Sequence, residues 1–272
     1  MNAVEIKDLH FGYKNEEGSH SFNLNIPEWN ISKGDFISLL GPNGCGKSTL
    51  LKLIGRLIDL KSGSVLVDGK NISEYRRKDL AKKIAYVPQK NISIFPFSVY
   101  EIVTMGRTPY LNLMGFENAA DRELVDDALQ IMQIEKIKNK GINEISGGEA
   151  QRVFIARALA QKAEIILLDE PNAHLDLEHQ VMIFELLKKL NEEEKITVLA
   201  VSHDLNLVGI FSKKITMMNE GSIALHGEKQ TILTRENIRK IFKIDSALFP
   251  AADLKSINVL INPNPIINGS PN

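Results

Sequence analysis

The chain has 272 residues, 43 % of them apolar, with 33 Lys plus Arg against 34 Asp plus Glu. That length supports a large core as one domain with an insertion or as two lobes, while a net charge of −1 gives no electrostatic reason to expect a nucleic-acid partner. A single cysteine, Cys45, excludes an internal disulfide and fits a reducing compartment.

The first residues, Met1 to Tyr13, include Glu5 and Asp8 and read as a strand over Val4 to Phe11, not as a signal peptide. A polar loop is expected over Lys14 to His20, and Trp29 is expected to be a packing residue. Asp35 to Leu40 is apolar and predicts a buried strand; after a glycine-rich stretch, Ser48 to Leu57 has helical spacing. Ser64 to Val67 followed by Asp68-Gly69 predicts a strand entering a hairpin turn. Residues 91–162 differ: Asp121 is expected to cap a helix running to Gln133 with Leu124, Val125, Ala128, Leu129 and Met132 on one face, and a second helix is expected over Glu149 to Gln161. The chain then reads as a buried strand (Glu164 to Leu168), a helix (Leu177 to Leu190) with a solvated end at Glu192 to Lys195, a strand (Thr197 to Val201) and a hairpin (Ile215 to Met218, Ile223 to Leu225). The tail after Lys255 offers only a short strand at Val259 to Ile261. This pattern predicts an α/β protein: residues 1–90 and 163–272 form an α/β core, and 91–162 a helical insertion. No apolar run exceeds four residues, those at 165–168 and 198–201 included, far short of the ~20 residues that span a bilayer, so work at a membrane requires docking on it or on another protein.

Between the strand ending at Leu40 and the next helix lies Gly41-Pro42-Asn43-Gly44-Cys45-Gly46-Lys47-Ser48-Thr49, which fits G-x-x-x-x-G-K-[ST]. Glycines let successive amides turn inward on phosphate oxygens, the helix N-terminus adds positive potential, Lys47 supplies a full charge and Ser48 a hydroxyl for Mg²⁺. A plain tight turn explains some glycines but not Lys47-Ser48-Thr49 in register. Cys45 is expected to offer only its amide, or to be a small space-filler, and a bulky thiol reagent there is expected to block nucleotide binding. Ile165 to Leu168 ends in Asp169 and Glu170. Acids are common at solvated strand ends; together with the phosphate loop they read as a Mg²⁺ ligand, Asp169, and a residue that polarises water, Glu170, pointing the other way along the strand.

The segment Ile145-Ser146-Gly147-Gly148-Glu149-Ala150-Gln151-Arg152 resembles the signature of ATP-binding-cassette ATPases, and the order of the motifs resembles that family along nearly the whole chain. The resemblance implies a P-loop NTPase (RecA-like) core with an N-terminal antiparallel β subdomain and an inserted helical subdomain. It implies Tyr13 stacked on adenine, Gln89 linking Mg²⁺ to the partner interface, a dimer-contact loop from Asn172 to Asp176, and His203 at the γ-phosphate. Ser146, Gly147, Gly148 and Glu149 would face ATP held by a second copy of the chain. Glu149 replaces the usual Gln and Asn172-Ala173 the usual Thr-Ser; neither removes a catalytic charge. The segment Met105-Gly106-Arg107-Thr108-Pro109-Tyr110, then Gly115, and Gly221 to Phe242 are similar to ATPase subunits of importers for ferric siderophores, haem and cobalamin. That implies a peripheral protein on the cytoplasmic face of the membrane, working with a permease and, indirectly, a substrate-binding protein. Residues 91–110 would offer the permease an apolar groove. Other readings are import of a metal ion such as zinc or manganese, a soluble non-transport cassette ATPase, and a regulatory module without turnover, against which Glu170 and His203 argue.

Overall fold

In the computed structural model, which describes residues 1–14, 20–89, 95–111, 117–172, 175–250 and 256–262, two long strands come first, β1 (Asn2–Lys14) and β2 (His20–Ser32). Most of the polar loop expected after Lys14, the first residues of the expected groove, Gly115, Ala173 and His174, and the tail beyond Asn262 lie outside the described residues. β3 (Phe36–Leu40) leads into α1 (Lys47–Ile54). α1 stops short of the expected Leu57 because Gly55 caps it and Arg56 turns left-handed at φ 51°. β4 (Ser62–Val67) and the short β5 (Lys70–Asn71) follow, joined through Asp68 and Gly69 at φ 51° and 77°, the backbone a two-residue hairpin requires. These strands make a four-stranded antiparallel sheet ordered β2-β1-β4-β5. Strand β2 is missing from the sequence expectations; its alternation slips by one at Pro27-Glu28, and its three asparagines are poor strand formers, yet Leu24, Ile26, Trp29 and Ile31 are all buried.

After α2 (Arg77–Leu80) and β6 (Ile84–Val87), the chain turns helical with α3 (Val99–Thr104), a 3-10 segment over Met105–Tyr110, α4 (Ala119–Ile131) and α5 (Gly147–Ala160). Asp121 does not cap α4. Asn118 does, and Asp121 is the reciprocal partner of a capping box. Its side chain is also buried against Arg107, with Nε to Oδ1 at 2.9 Å, and Arg107 donates to the Ala160 carbonyl at 2.6 Å. The Asn118 amide and the Arg107 guanidinium both hold the Asp121 carboxyl below its ordinary value.

β7 (Ile165–Asp169), α6 (Leu177–Glu193), β8 (Thr197–Val201), α7 (Leu205–Phe211), β9 (Lys214–Asn219) and β10 (Ser222–Glu228) complete a second sheet, ordered β10-β9-β3-β8-β7-β6. All its neighbouring pairs are parallel except β9–β10. Alternation assigns the two faces. Ile165 and Leu167 join Ile37, Leu39, Leu199 and Val201 in a core shared with α1 and the first sheet. Ile166 and Leu168 join Phe36, Val198 and Ala200 in the core beneath α3 to α6. Burial on both faces is why these strands read as continuous apolar runs. A third core gathers α7, α8 (Lys229–Ile232), α9 (Arg235–Phe242) and the hairpin β11 (Asp245–Pro250) with β12 (Ile257–Asn262). Val259, in the expected terminal strand, is buried there.

The architecture is a parallel α/β core flanked by an antiparallel sheet and a helical layer. No helix among the described residues is long and apolar enough to cross a membrane.

Candidate active site

The glycine loop joins β3 to α1. At Gly41, a Cβ would lie 2.4 Å from the Met218 carbonyl oxygen; at Gly46, φ 105°, it would strike the Phe22 ring at 2.6 Å. Side chains are excluded at both positions, which leaves the loop backbone as the lining surface. Lys47 is buried and donates to the Gly41 and Pro42 carbonyls at 2.7 and 3.0 Å, so its ammonium sits over the loop. The Cys45 amide donates to Pro42 at 3.3 Å. The Cys45 thiol is buried inside the loop, and burial raises its pKa against the opposing charge of Lys47. It is therefore the space-filler, and a buried neutral thiol reacts slowly, which blunts the expected sensitivity to thiol reagents.

Strand parity explains the first of the two acids but not the second. Asp169 continues the Ile165, Leu167 face toward α1, and Ser48 Oγ donates to its Oδ1 at 2.8 Å. Tyr86 donates to its Oδ2 at 3.2 Å. Burial pushes the Asp169 carboxyl above its ordinary value, against these two hydrogen bonds, which favour the charged form. Glu170 is not a strand residue pointing away, as alternation implies; it turns left-handed at φ 52°. That turn brings its carboxylate back over the strand ends, where Gln89 Nε2 donates to Oε2 at 2.6 Å and His203 Nε2 sits 2.6 Å from Oε1. A non-glycine residue in this conformation carries strain of about 1–3 kcal/mol and is frequent at functional sites. His203 follows β8, just ahead of α7, whose N-cap is Asp204.

A cleft of about 800 Å³ brings together Tyr13, Phe22, Asn43, Gly44, Gly46, Lys47, Ser48, Thr49, Gln89, Glu170 and His203. Tyr13 is 43 % exposed at its rim, packed edge-on against Phe11 at 5.0 Å and near Phe22 at 6.2 Å. Phe22 and Tyr86 escape the sequence reading: the first because β2 is unrecognised, the second because only pairing of β6 with β7 sets it beside Asp169. The β1–β2 register, which pairs Tyr13 with Phe22, would have found the first.

The signature residues do not line this cleft. Ser146 caps α5 and accepts from the Glu149 amide at 3.2 Å, while the Glu149 carboxylate accepts from the Ser146 amide and hydroxyl, both at 2.8 Å. Ser146 and Gly147 are exposed, and Gly148 is half-exposed. Asp176 caps α6, and its carboxylate takes the His179 amide at 2.9 Å and lies 2.5 Å from the His179 ring. A second concavity, about 570 Å³, runs between the turn after α1 and α2 on one side and the 3-10 segment on the other, with Leu57, Arg77, Leu80, Tyr86, Met105 and Pro109 among its lining. Among the described residues of the expected groove stretch, only the Met105 to Pro109 end contributes to it.

Residues 24–173, more than half of the chain, match the family model described as ABC transporter. The chain is 37 % identical over 248 residues to the iron(3+)-hydroxamate import ATP-binding protein FhuC of Bacillus subtilis (strain 168), an alignment covering 91 % of this chain and 90 % of that protein. It is 36 % identical to the ferric enterobactin transport ATP-binding protein FepC of Escherichia coli (strain K12), covering 87 % and 85 %. Among solved structures, it is similar to a metal-chelate type ABC transporter in an inward-facing conformation, with TM-score 0.80, 31 % identity and coverage of 97 % and 98 %. It is also similar to a dimeric ATP-binding cassette bound to ADP and Pi, with TM-score 0.73, 34 % identity and coverage of 83 % and 98 %. With the phosphate loop, the paired acids and the signature turn in one fold, the chain belongs to the ABC transporter family and is an ATPase.

Proposed function

We propose that this chain is the ATP-hydrolysing subunit of an importer for a ferric siderophore or a related iron complex. The observation that carries the catalytic half is the Glu170 carboxylate, held at 2.6 Å from both Gln89 and His203 beside Lys47 and Ser48 in one cleft. The cargo rests on the similarity to the hydroxamate and enterobactin proteins.

In this reading, the amides of Gly41, Asn43, Gly44, Cys45, Gly46, Lys47, Ser48 and Thr49, with Pro42 shaping the turn, cradle the phosphates. Lys47 moves from the loop carbonyls to the outer phosphate oxygens, and Tyr13 stacks on the base. The donor set of Ser48 hydroxyl, Asp169 carboxylate and Gln89 amide carbonyl is all hard oxygen, fitting Mg²⁺, which favours one or two carboxylates plus substrate phosphates. Bound Mg²⁺ supplies neutralisation of the charge that builds on the phosphates. Glu170 orients and polarises the attacking water, and His203 contacts the γ-phosphate. Ser146, Gly147, Gly148 and Glu149 of a second copy complete the site from across a two-fold dimer, and Asp176 sits at that contact. The exposure of Ser146 and Gly147 and their absence from this chain's own cleft support that assignment.

The concavity between α2, the turn after α1 and the 3-10 segment receives a cytoplasmic segment of the permease, which keeps the protein peripheral on the cytoplasmic face. A substrate-binding protein delivers cargo to that permease. Phosphate release by the assembled importer tests the chemistry. Glu170→Gln is expected to lower turnover by about 10²-fold or more while ATP binding persists and the dimer accumulates. Full turnover in that variant removes Glu170 from its role, and cargo uptake in vesicles decides the substrate.

A further inference from the structure

Tyr86 touches two places at once. It lines the concavity that holds Leu80, Met105 and Pro109, and its hydroxyl donates to Asp169 Oδ2 at 3.2 Å. Its backbone carbonyl accepts from half-buried Arg157 at 3.3 Å. The strand beneath it is fixed in parallel register, with Tyr86 opposite Leu167. The residue is therefore anchored at its backbone and at its hydroxyl, so a movement of the ring between them reaches the carboxylate. Asp169 is gripped on both oxygens, by Ser48 and by Tyr86. Were the Ser48 hydroxyl engaged by a metal, the Tyr86 hydrogen bond would remain to hold Oδ2.

We infer that Tyr86 is a positioning residue: its hydroxyl orients the Asp169 carboxylate for the divalent cation, and its ring makes that orientation depend on what fills the neighbouring groove. This rests on the proposed role of Asp169. Partners that orient a metal ligand are typically worth 10–100-fold in affinity.

The test uses the full chain, Mn²⁺ as probe and electron paramagnetic resonance to measure its binding in the ATP complex. Tyr86→Phe keeps the ring and removes only the O–H. It is expected to weaken Mn²⁺ about tenfold while ATP affinity in EDTA stays unchanged. Unchanged Mn²⁺ affinity, or an equal loss of ATP binding without metal, overturns the inference. Asp169→Asn separates this from the reading beneath it: if that variant also binds Mn²⁺ normally, the metal site itself is misassigned. For the groove half, Met105→Cys is labelled with a bulky maleimide, and the native chain, with Cys45 buried, is the reagent control. The label is expected to change Mn²⁺ affinity several-fold with Tyr86 present and to leave it unchanged in the Tyr86→Phe background. An equal effect in both backgrounds, or none, removes the coupling.

Discussion

Two helices of this protein begin at glycine-rich turns, and they end up in opposite electrostatic situations. α1 starts after Gly46, left-handed and without a side-chain cap, so no capping carboxylate or hydroxyl occupies its N-terminus. α5 starts after Ser146, and a full capping box closes its N-terminus, with Glu149 as an anion of its own. Both ends carry roughly half a positive charge from the helix dipole. The first leaves it for an external phosphate. The second satisfies much of it internally, on an exposed surface, and must rearrange to serve a phosphate from elsewhere. One turn is therefore a finished half of a site; the other is a stable surface feature that can be drawn into one.

The sharpest way to break this contrast is Lys47→Ala. Removing the charge at the bare helix end is expected to lower turnover about 10²–10³-fold, read by phosphate release. A loss below tenfold would mean the loop amides suffice. Next in size is Arg107→Ala. It strips the partner from buried Asp121 and is expected to cost about 3–5 kcal/mol in urea unfolding, because the helical layer is fixed by this pair and not by the exposed cap. A cost under about 1 kcal/mol, the scale of an exposed ion pair, would shift that task elsewhere. Ser146→Ala removes only the cap and is expected to cost about 1 kcal/mol, with nucleotide affinity of the isolated chain unchanged. A large fall in that affinity would bring the signature into its own chain's cleft.

The smallest effect is in pH. The Ser146 amide, then its hydroxyl, hold the Glu149 carboxyl below its ordinary value. Its native pKa is below its unfolded pKa of about 4.3, so its contribution is full above that pH and fades as pH falls through the lower native value. The stability gap between the native protein and Glu149→Gln is expected to be constant from about pH 7 to about pH 5 and to shrink below about pH 4.3. A gap that stays flat well below that pH would show that the carboxylate charge plays no part in the cap.

Much of this is legible in the sequence. The phosphate loop reads from its spacing because glycine and lysine there answer to local backbone chemistry. Strands β3, β7 and β8 read as apolar runs because both faces are buried. β2 does not, since its alternation slips at Pro27-Glu28 and its asparagines are poor strand formers, so the strand depends on pairing with β1. Asp121 reads as a cap because acids favour helix starts; Asn118 takes that place once the Arg107 partnership fixes Asp121 one turn in. Strand alternation points Glu170 away, and a single left-handed residue reverses it.

Sequence alone determined the features set by neighbours along the chain: the glycine cradle, the order of motifs, the buried strands, and the Ser-Gly-Gly start of α5. Tertiary structure decided which residues meet across it. Tyr86 reaches Asp169 only because β6 lies beside β7. Gln89 and His203 converge on Glu170 from loops 81 and 33 positions away. Local backbone preference is written residue by residue, whereas a hydrogen bond between distant side chains exists only after the sheet has chosen its strand order.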